Sequence, residues 1–79
     1  MNWTHLNDHP LGFHGAKAVL VAERYLLAKW DNDQCRGWQL YIRRERSVVK
    51  LTWMGGAGSE SLTWTDEQAM QWADTIAKP

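Results

Sequence analysis

The chain has 79 residues with nine basic and nine acidic side chains, so its formal net charge is zero. This length allows one domain, and the balanced charge argues against a strongly basic nucleic-acid binder and against a strongly acidic mimic of nucleic acid. A single cysteine, Cys35, excludes an intrachain disulfide, and no apolar stretch approaches the roughly 18 residues of a membrane span. Because the polar start also lacks a signal-peptide pattern, we expect a cytoplasmic protein that makes no membrane contact.

The first segment, residues 1–15, predicts an irregular arm because it is polar and rich in turn-forming residues. Its large apolar side chains are Trp3, Leu11 and Phe13, and we expect them to pin the arm onto the rest of the domain.

The next segment, residues 17–31, is ambiguous between strand and helix. Alternating apolar positions favour two short strands, near residues 18–22 and 25–30. A helix is the alternative because alanine and leucine are frequent here, although a helical wheel shows no clean polar face.

A turn signal at residues 31–33 precedes two clearer strands. In both strands apolar residues alternate with other residues, which predicts an antiparallel hairpin with one apolar face. The predicted buried row is Trp38, Leu40, Ile42, Val49, Leu51 and Trp53. In this pairing Tyr41 lies on the outward face. The glycine-rich residues 55–59 predict a flexible loop.

The C-terminal segment, residues 65–77, is the best candidate helix. Thr65 is a favourable N-cap, and Gln68 lies three residues later, as a capping box requires. The apolar stripe expected to face the sheet is Ala69, Trp72, Ala73 and Ile76. The sequence therefore predicts an α+β domain, an antiparallel β-meander of three to four strands at residues 17–54 with one C-terminal α-helix packed on the sheet.

Potential catalytic and metal-binding side chains follow no known motif. His5, His9 and His14 have spacings that match no zinc pattern, and no histidine is placed by a motif beside Cys35. The glycine-rich loop lacks the lysine of a P-loop. We therefore predict a protein that is not an enzyme and has no catalytic residue, cofactor or metal.

The most distinctive feature is a basic cluster around the predicted hairpin tip. Cations on a β-ribbon can contact phosphates, and an exposed aromatic ring can stack on bases. Alternatively, the charges only protect a strand edge from aggregation, and Glu45 within the cluster weakens its field. The acidic side chains form two possible patches that would suit a basic partner, although turn formation and helix capping explain most of them: Asp31 with Asp33 at the preceding turn, and Glu60, Asp66 and Glu67 around the helix start. The candidate partner-binding residues are Tyr41, Arg43, Arg44, Arg46, Lys50, Asp31 and Asp33.

The segments in chain order are a strand with Tyr25, a strand led by Gly37-Trp38-Gln39-Leu40-Tyr41, a third strand from Val48 to Trp53, and the helix start Thr65-Asp66-Glu67-Gln68-Ala69. This succession, over residues 24–77, resembles the small anti-CRISPR proteins carried by phages and mobile elements. The resemblance implies a stoichiometric inhibitor in the cytoplasm of a host cell. Such an inhibitor docks on a host protein or protein–RNA complex, such as a CRISPR-Cas surveillance complex, and blocks its binding of target DNA.

The zero net charge departs from those anti-CRISPR proteins that mimic DNA by being strongly acidic. Two functions therefore stay open at this point. The first is a protein-binding inhibitor, as a monomer or a weak homodimer, and the second is a small DNA- or RNA-binding module that uses the basic hairpin.

Overall fold

The computed structural model describes residues 1–52 and 56–77, which form a five-stranded antiparallel sheet with a short 3₁₀ helix and an α-helix. The elements are β1 (Thr4–His5), β2 (Ala18–Ala22), β3 (Tyr25–Asp31), β4 (Arg36–Arg44), β5 (Ser47–Lys50), the 3₁₀ helix Ser59–Thr63 and α1 (Asp66–Ile76). Strand order follows chain order, so the sheet is a meander. The predicted α+β meander is confirmed. The predicted strand number is too low, because two residues of the N-terminal arm pair with β2 as β1.

The ambiguous segment forms the strands β2 and β3, so the helical alternative is wrong. The first four residues of β3 are all buried, on both faces of the sheet. A strand covered on both faces has a continuous apolar run instead of alternation, and such a run also fits a buried helix. This double coverage explains why the sequence pattern was ambiguous.

One face of the sheet packs against α1 through a row of small side chains. Ala69, Ala73 and Ala77 are buried against a core that includes Trp38 and Leu40. The predicted stripe is therefore only partly right, because Trp72 and Ile76 are half-buried at the flank of this row. Alanine at the contact allows the helix axis to approach the sheet closely, which leaves the larger side chains to pack beside it.

The predicted capping box at the start of α1 is confirmed. The Thr65 hydroxyl accepts a hydrogen bond from the Gln68 backbone N–H at 3.2 Å, and the Gln68 side-chain oxygen accepts one from the Thr65 N–H at 2.8 Å. Both bonds satisfy N–H groups that the first helical turn leaves without intrahelical partners.

The opposite face of the sheet is covered by the N-terminal arm. Phe13 and Ala16 are buried with Val19 and Leu26, and the Phe13 ring meets the Tyr41 ring edge-on with centroids 4.8 Å apart. The expectation that the arm is pinned by Phe13 is confirmed, whereas Leu11 is 91% exposed. The sheet therefore lies between a helix and an irregular layer.

The predicted buried row of the hairpin is buried at one end only. Trp38 and Leu40 are fully buried, Ile42 and Leu51 are half-buried, and Val49 is 38% exposed. The sixth residue, Trp53, lies outside the described residues, as does Gly55 of the predicted loop. Burial falls toward the β4–β5 turn because α1 and the arm cover the centre of the sheet and leave this end open.

The segment after β5 returns along the first half of β4. Ala57 N–H donates to the Trp38 carbonyl at 3.1 Å, and Trp38 N–H donates to the Ser61 hydroxyl at 2.9 Å. Gly37 has a φ of +107°, and a Cβ there would clash with the Gly58 carbonyl oxygen, so this crossing requires glycine. Within the described residues, no helix has the length and apolar character that crossing a bilayer requires.

Candidate interaction surface

Two tight turns bring arginines together at one end of the sheet. The β2–β3 turn contains Glu23 and Arg24, and the β4–β5 turn contains Glu45 and Arg46. Alternate turns of a meander lie at the same end of the sheet, and the pairing of Tyr25 with Ile42 places these two turns side by side. The surface formed by Arg24, Arg43, Arg44 and Arg46 is called the arginine end below.

The arginine end carries positive charge that its neighbours do not neutralise. All four arginines are exposed, and two carboxylates, Glu23 and Glu45, share the two turns with them. The ion pairs among the described residues are Met1–Asp74, His5–Asp66 and Arg36–Asp31, and none includes an arginine of this end. Four guanidinium groups against two carboxylates leave an excess of two positive charges, with donors free to bind an anionic surface.

Apolar side chains lie among these arginines. Ile42, which is half-buried, lines an open groove together with the exposed side chains of Arg24, Arg43 and Arg44. Leu11 and Val48, which are 91% and 40% exposed, line a neighbouring hollow with the arginines of the β4–β5 hairpin. The surface therefore offers both charge and apolar area.

Tyr41 is not part of this exposed surface, and the expectation that it lies on an outward, open face is wrong. Its side chain is only 8% exposed because the arm residue Phe13 covers it. Its hydroxyl accepts a hydrogen bond from Trp30 Nε1 at 2.9 Å. Burial raises the pKa of Tyr41 above its ordinary value of 10.0, the hydrogen bond from Trp30 lowers it in part, and nearby Cys35 raises it. A ring enclosed in this way cannot stack on a base.

Lys50 is the last residue of the edge strand β5, at the end of that strand away from the β4–β5 turn. It pairs with Tyr41, whereas Ser47 pairs with Arg44 next to the turn. Lys50 also lines a small polar cleft with Cys35 and the Tyr41 side chain. Its ammonium group thus extends the basic surface along β5.

Asp31 and Asp33 lie at the opposite end of the sheet from the arginines. Asp31 pairs with Arg36, and Arg36 and Arg44 are the two ends of the nine-residue strand β4. At about 3.3 Å per residue, these ends are about 26 Å apart. Arg36 Nε also lies 3.8 Å from Asp31 Oδ1, which partly neutralises that carboxylate. The seven predicted residues therefore do not form one surface.

Sequence reasoning misses two residues of this region, Arg24 of the arginine end and Leu11 beside it. Arg24 was not considered because its approach to Arg43 depends on the pairing of β3 with β4, and Arg43 N–H in fact donates to the Arg24 carbonyl at 2.7 Å. Leu11 was expected to pack inward. The available signal is that Leu11 lies between Pro10 and Gly12, two turn-forming residues, and side chains at the tip of such a loop are commonly exposed.

The remaining polar candidates serve local structure. His5 Nε2 lies 2.9 Å from Asp66 Oδ2, which joins β1 to the start of α1, and His9 Nδ1 lies 3.1 Å from the Phe13 carbonyl oxygen. Cys35 Sγ is 3.5 Å from Gln39 Nε2, which donates a hydrogen bond to it. Over residues 1–52 and 56–77, no group of three or more His, Cys, Asp or Glu side chains is arranged to hold a metal ion.

Comparisons of the chain with protein-family models, with curated proteins and with solved structures find no significant match. The functional interpretation therefore depends on the geometry and charge of the arginine end.

Proposed function

We propose that this protein is a non-enzymatic, stoichiometric inhibitor that docks through its arginine end on an acidic surface of a host protein or protein–RNA complex. The specific target that we propose is a CRISPR-Cas surveillance complex, whose binding of target DNA would then be blocked. This target follows from the resemblance of residues 24–77 to anti-CRISPR proteins, and the docking surface follows from the fold.

The observation that carries the proposal is the mixture of unpaired arginines and exposed apolar side chains at one end of the sheet. Arginine is enriched in protein interfaces and among the residues that contribute most to binding, and apolar area buried beside it adds affinity. Leu11 and Val48 supply exposed apolar area beside the arginines. The positive charge steers the approach to an acidic partner and fixes its orientation.

The alternative, a small DNA- or RNA-binding module, is supported by the four guanidinium groups, which can contact phosphates. The residues around these arginines support the nucleic-acid module less well. Tyr41, the aromatic residue expected to stack on bases, is buried. Leu11 is exposed, but an apolar side chain makes no favourable contact with a phosphate group. The local excess of two positive charges is also small for binding of nucleic acid by charge alone.

A binding assay with a purified, guide-loaded surveillance complex and a labelled target duplex tests the proposal. We expect the protein to bind the complex and to prevent its binding of the duplex. Replacing Arg43, Arg44 and Arg46 together by alanine should weaken this binding more than about tenfold, because arginine is frequent among hot-spot residues and a combined loss of about 1.4 kcal/mol is tenfold. Thermal unfolding should be little changed because all three side chains are exposed.

A matched control replaces Lys17, Lys29 and Arg36 by alanine, which removes the same charge at the opposite end of the sheet. This control should retain inhibition. Equal loss in both triple variants would show a general effect of net charge and would contradict a docking role for the arginine end. Failure of the wild-type protein to bind the complex, with salt-sensitive binding to labelled duplex alone, would instead support the nucleic-acid module.

A further inference from the structure

Strand β5 is an edge of the sheet, and half of its backbone hydrogen-bonding groups point away from β4. Just beyond β5, Leu51 N–H donates to the Leu40 carbonyl at 2.8 Å. Backbone direction alternates along an antiparallel strand, so Ser47 and Val49 also bond toward β4. Val48 and Lys50 therefore direct their N–H and C=O groups outward. All four residues of β5 are exposed.

The other edges of the sheet are either covered by another segment or too short to pair with a further strand. The first half of β4 is covered by the returning segment, through the bonds of Ala57 and Ser61 to Trp38. The opposite edge strand, β1, is only two residues long. Within the described residues, β5 is thus the edge with room for a further strand of useful length.

The charge around β5 selects the kind of strand that can pair there. Arg44 and Arg46 lie at its start and Lys50 at its end, with Glu45 as the single carboxylate of the turn. A second copy of this chain, paired antiparallel through β5, would bring the Lys50 of each copy toward the arginines of the other. Like charges on facing strands are destabilising, whereas carboxylates there are favourable. An acidic strand therefore fits this edge and a second copy does not.

The side chains of β5 also indicate which residues an incoming strand would need on its matching face. Val48 and Lys50 share the face of the sheet on which Arg43 and Tyr41 lie. Leu11 lies beside Val48, in the hollow that both residues line. An incoming strand would therefore place an apolar side chain against Val48 and Leu11 and, two positions along on the same face, a carboxylate against Lys50.

We propose that β5 binds an extended acidic segment of the partner protein, which adds to the sheet as a sixth strand. This inference rests on the proposed function in one respect, that the partner is a protein. Main-chain hydrogen bonds at Val48 and Lys50 hold the segment, and alternate side chains give specificity.

The first test uses a labelled probe peptide of three Thr-Val-Glu repeats, which in antiparallel pairing places a Glu opposite Lys50 when a Val lies opposite Val48. Binding to the wild-type protein is followed by fluorescence anisotropy, and the amide resonances of Val48 and Lys50 are followed by NMR. We expect binding with slowed hydrogen exchange at both amides. The same peptide with its three valines N-methylated should bind about tenfold more weakly or worse, because each lost backbone bond contributes about 0.5–1.5 kcal/mol.

A peptide of three Thr-Val-Lys repeats tests the charge and should also bind at least about tenfold more weakly. Equal binding of the N-methylated peptide, equal binding of the lysine peptide, or no binding of the acidic peptide would each overturn the proposal. These comparisons keep the protein unchanged, so they do not depend on a variant that folds.

A Val48→Pro variant then tests whether the β5 edge is also used in binding the surveillance complex. Proline removes one outward N–H and leaves the bonds of Val49 to β4 in place, a substitution that edge strands tolerate. It should weaken binding of both the acidic peptide and the surveillance complex, and thermal unfolding checks its fold.

The two proposals fail in different ways. If the triple arginine variant loses the complex while the N-methylated peptide binds as well as the unmodified one, strand addition is wrong and the proposed function stands. If the acidic peptide adds to β5 but the wild-type protein does not bind the complex, the edge is a docking site and the proposed target is wrong.

Discussion

Tyr41 is the residue whose position most changes the functional interpretation. By strand alternation it belongs to the face opposite Trp38, and an uncovered face would expose it. Phe13 packs on its ring, and Trp30 donates a hydrogen bond to its hydroxyl. The arm thus converts a candidate stacking residue into part of a second hydrophobic core.

Alkaline titration provides a test of this environment through Tyr41→Phe. The folded-state pKa of Tyr41 lies above its ordinary value of 10.0, so the unfolded chain releases the phenolic proton first as the pH rises. The stability linked to Tyr41 is therefore complete below that value and is lost as the pH rises through the folded-state pKa. We expect the urea midpoint of the wild-type protein to fall more between about pH 8 and about pH 11 than that of Tyr41→Phe.

At neutral pH the same variant should cost about 1 kcal/mol, because the Trp30 indole N–H loses its acceptor. The two proteins differ only at residue 41, so the difference between the two pH profiles isolates Tyr41. Parallel profiles would mean that the Tyr41 hydroxyl is as accessible to solvent in the folded protein as in the unfolded chain.

At the scale of the elements, the two turns of the arginine end differ in backbone conformation. Both are two-residue turns that begin with glutamate. Glu23 has a φ of +53°, in the left-handed region that side chains other than glycine and asparagine disfavour. It is the one residue other than glycine with positive φ over residues 1–52 and 56–77, so Glu45 adopts an ordinary conformation.

Glu23→Gly and Glu45→Gly should therefore change stability in opposite directions. Glycine at Glu23 removes the left-handed strain and should stabilise the protein by about 0.5–1 kcal/mol. Glycine at Glu45 relieves no strain and adds freedom to the unfolded chain, so it should destabilise by about the same amount. Both variants remove one negative charge from the same end of the sheet, and the difference in urea midpoint between them thus reports on backbone conformation. A destabilised Glu23→Gly would contradict the left-handed conformation.

At the scale of the whole molecule, the sheet is stabilised from two sides by segments from opposite ends of the chain. The helix packs on one face, and residues 6–16 pack on the other. The two ends of the chain also contact each other, because Trp3 Nε1 donates to Asp74 Oδ1 at 2.9 Å. The arm is therefore a structural layer and not an appendage.

Phe13→Ala and Leu11→Ala measure the contribution of this layer. Phe13 is 5% exposed and covers Tyr41, so its truncation should cost about 3–5 kcal/mol. Leu11, two residues earlier on the same arm, is 91% exposed, so its truncation should change stability by less than about 0.5 kcal/mol. Chemical denaturation of both variants makes the comparison. Similar, small losses would indicate that the arm detaches from the sheet in solution.

The candidate site could be predicted only in part, because its components depend on different levels of structure. Arg43 and Arg44 precede one tight turn and Arg46 lies within it, so their proximity follows from the hairpin that the sequence predicts. The addition of Arg24 required the pairing of β3 with β4. The separation of Asp31 from these arginines required the same register, because a turn near in sequence can lie at the far end of a strand.

The local features of this protein follow from the amino-acid sequence alone. The strands β4 and β5, a turn directly after Asp31 and the capping box of Thr65 and Gln68 each depend on a few neighbouring residues, and all are present. The α+β class follows from these elements and their order.

Features that involve long-range contacts are visible in the folded structure but not in the sequence pattern. The fifth strand exists because β1 pairs with β2, and Tyr41 is buried because Phe13 packs on a face that alternation alone leaves open. The free edge of β5 likewise results from where the returning segment meets β4. Each of these outcomes depends on which distant segment covers a surface, and a pattern of period two or 3.6 contains no information about that choice.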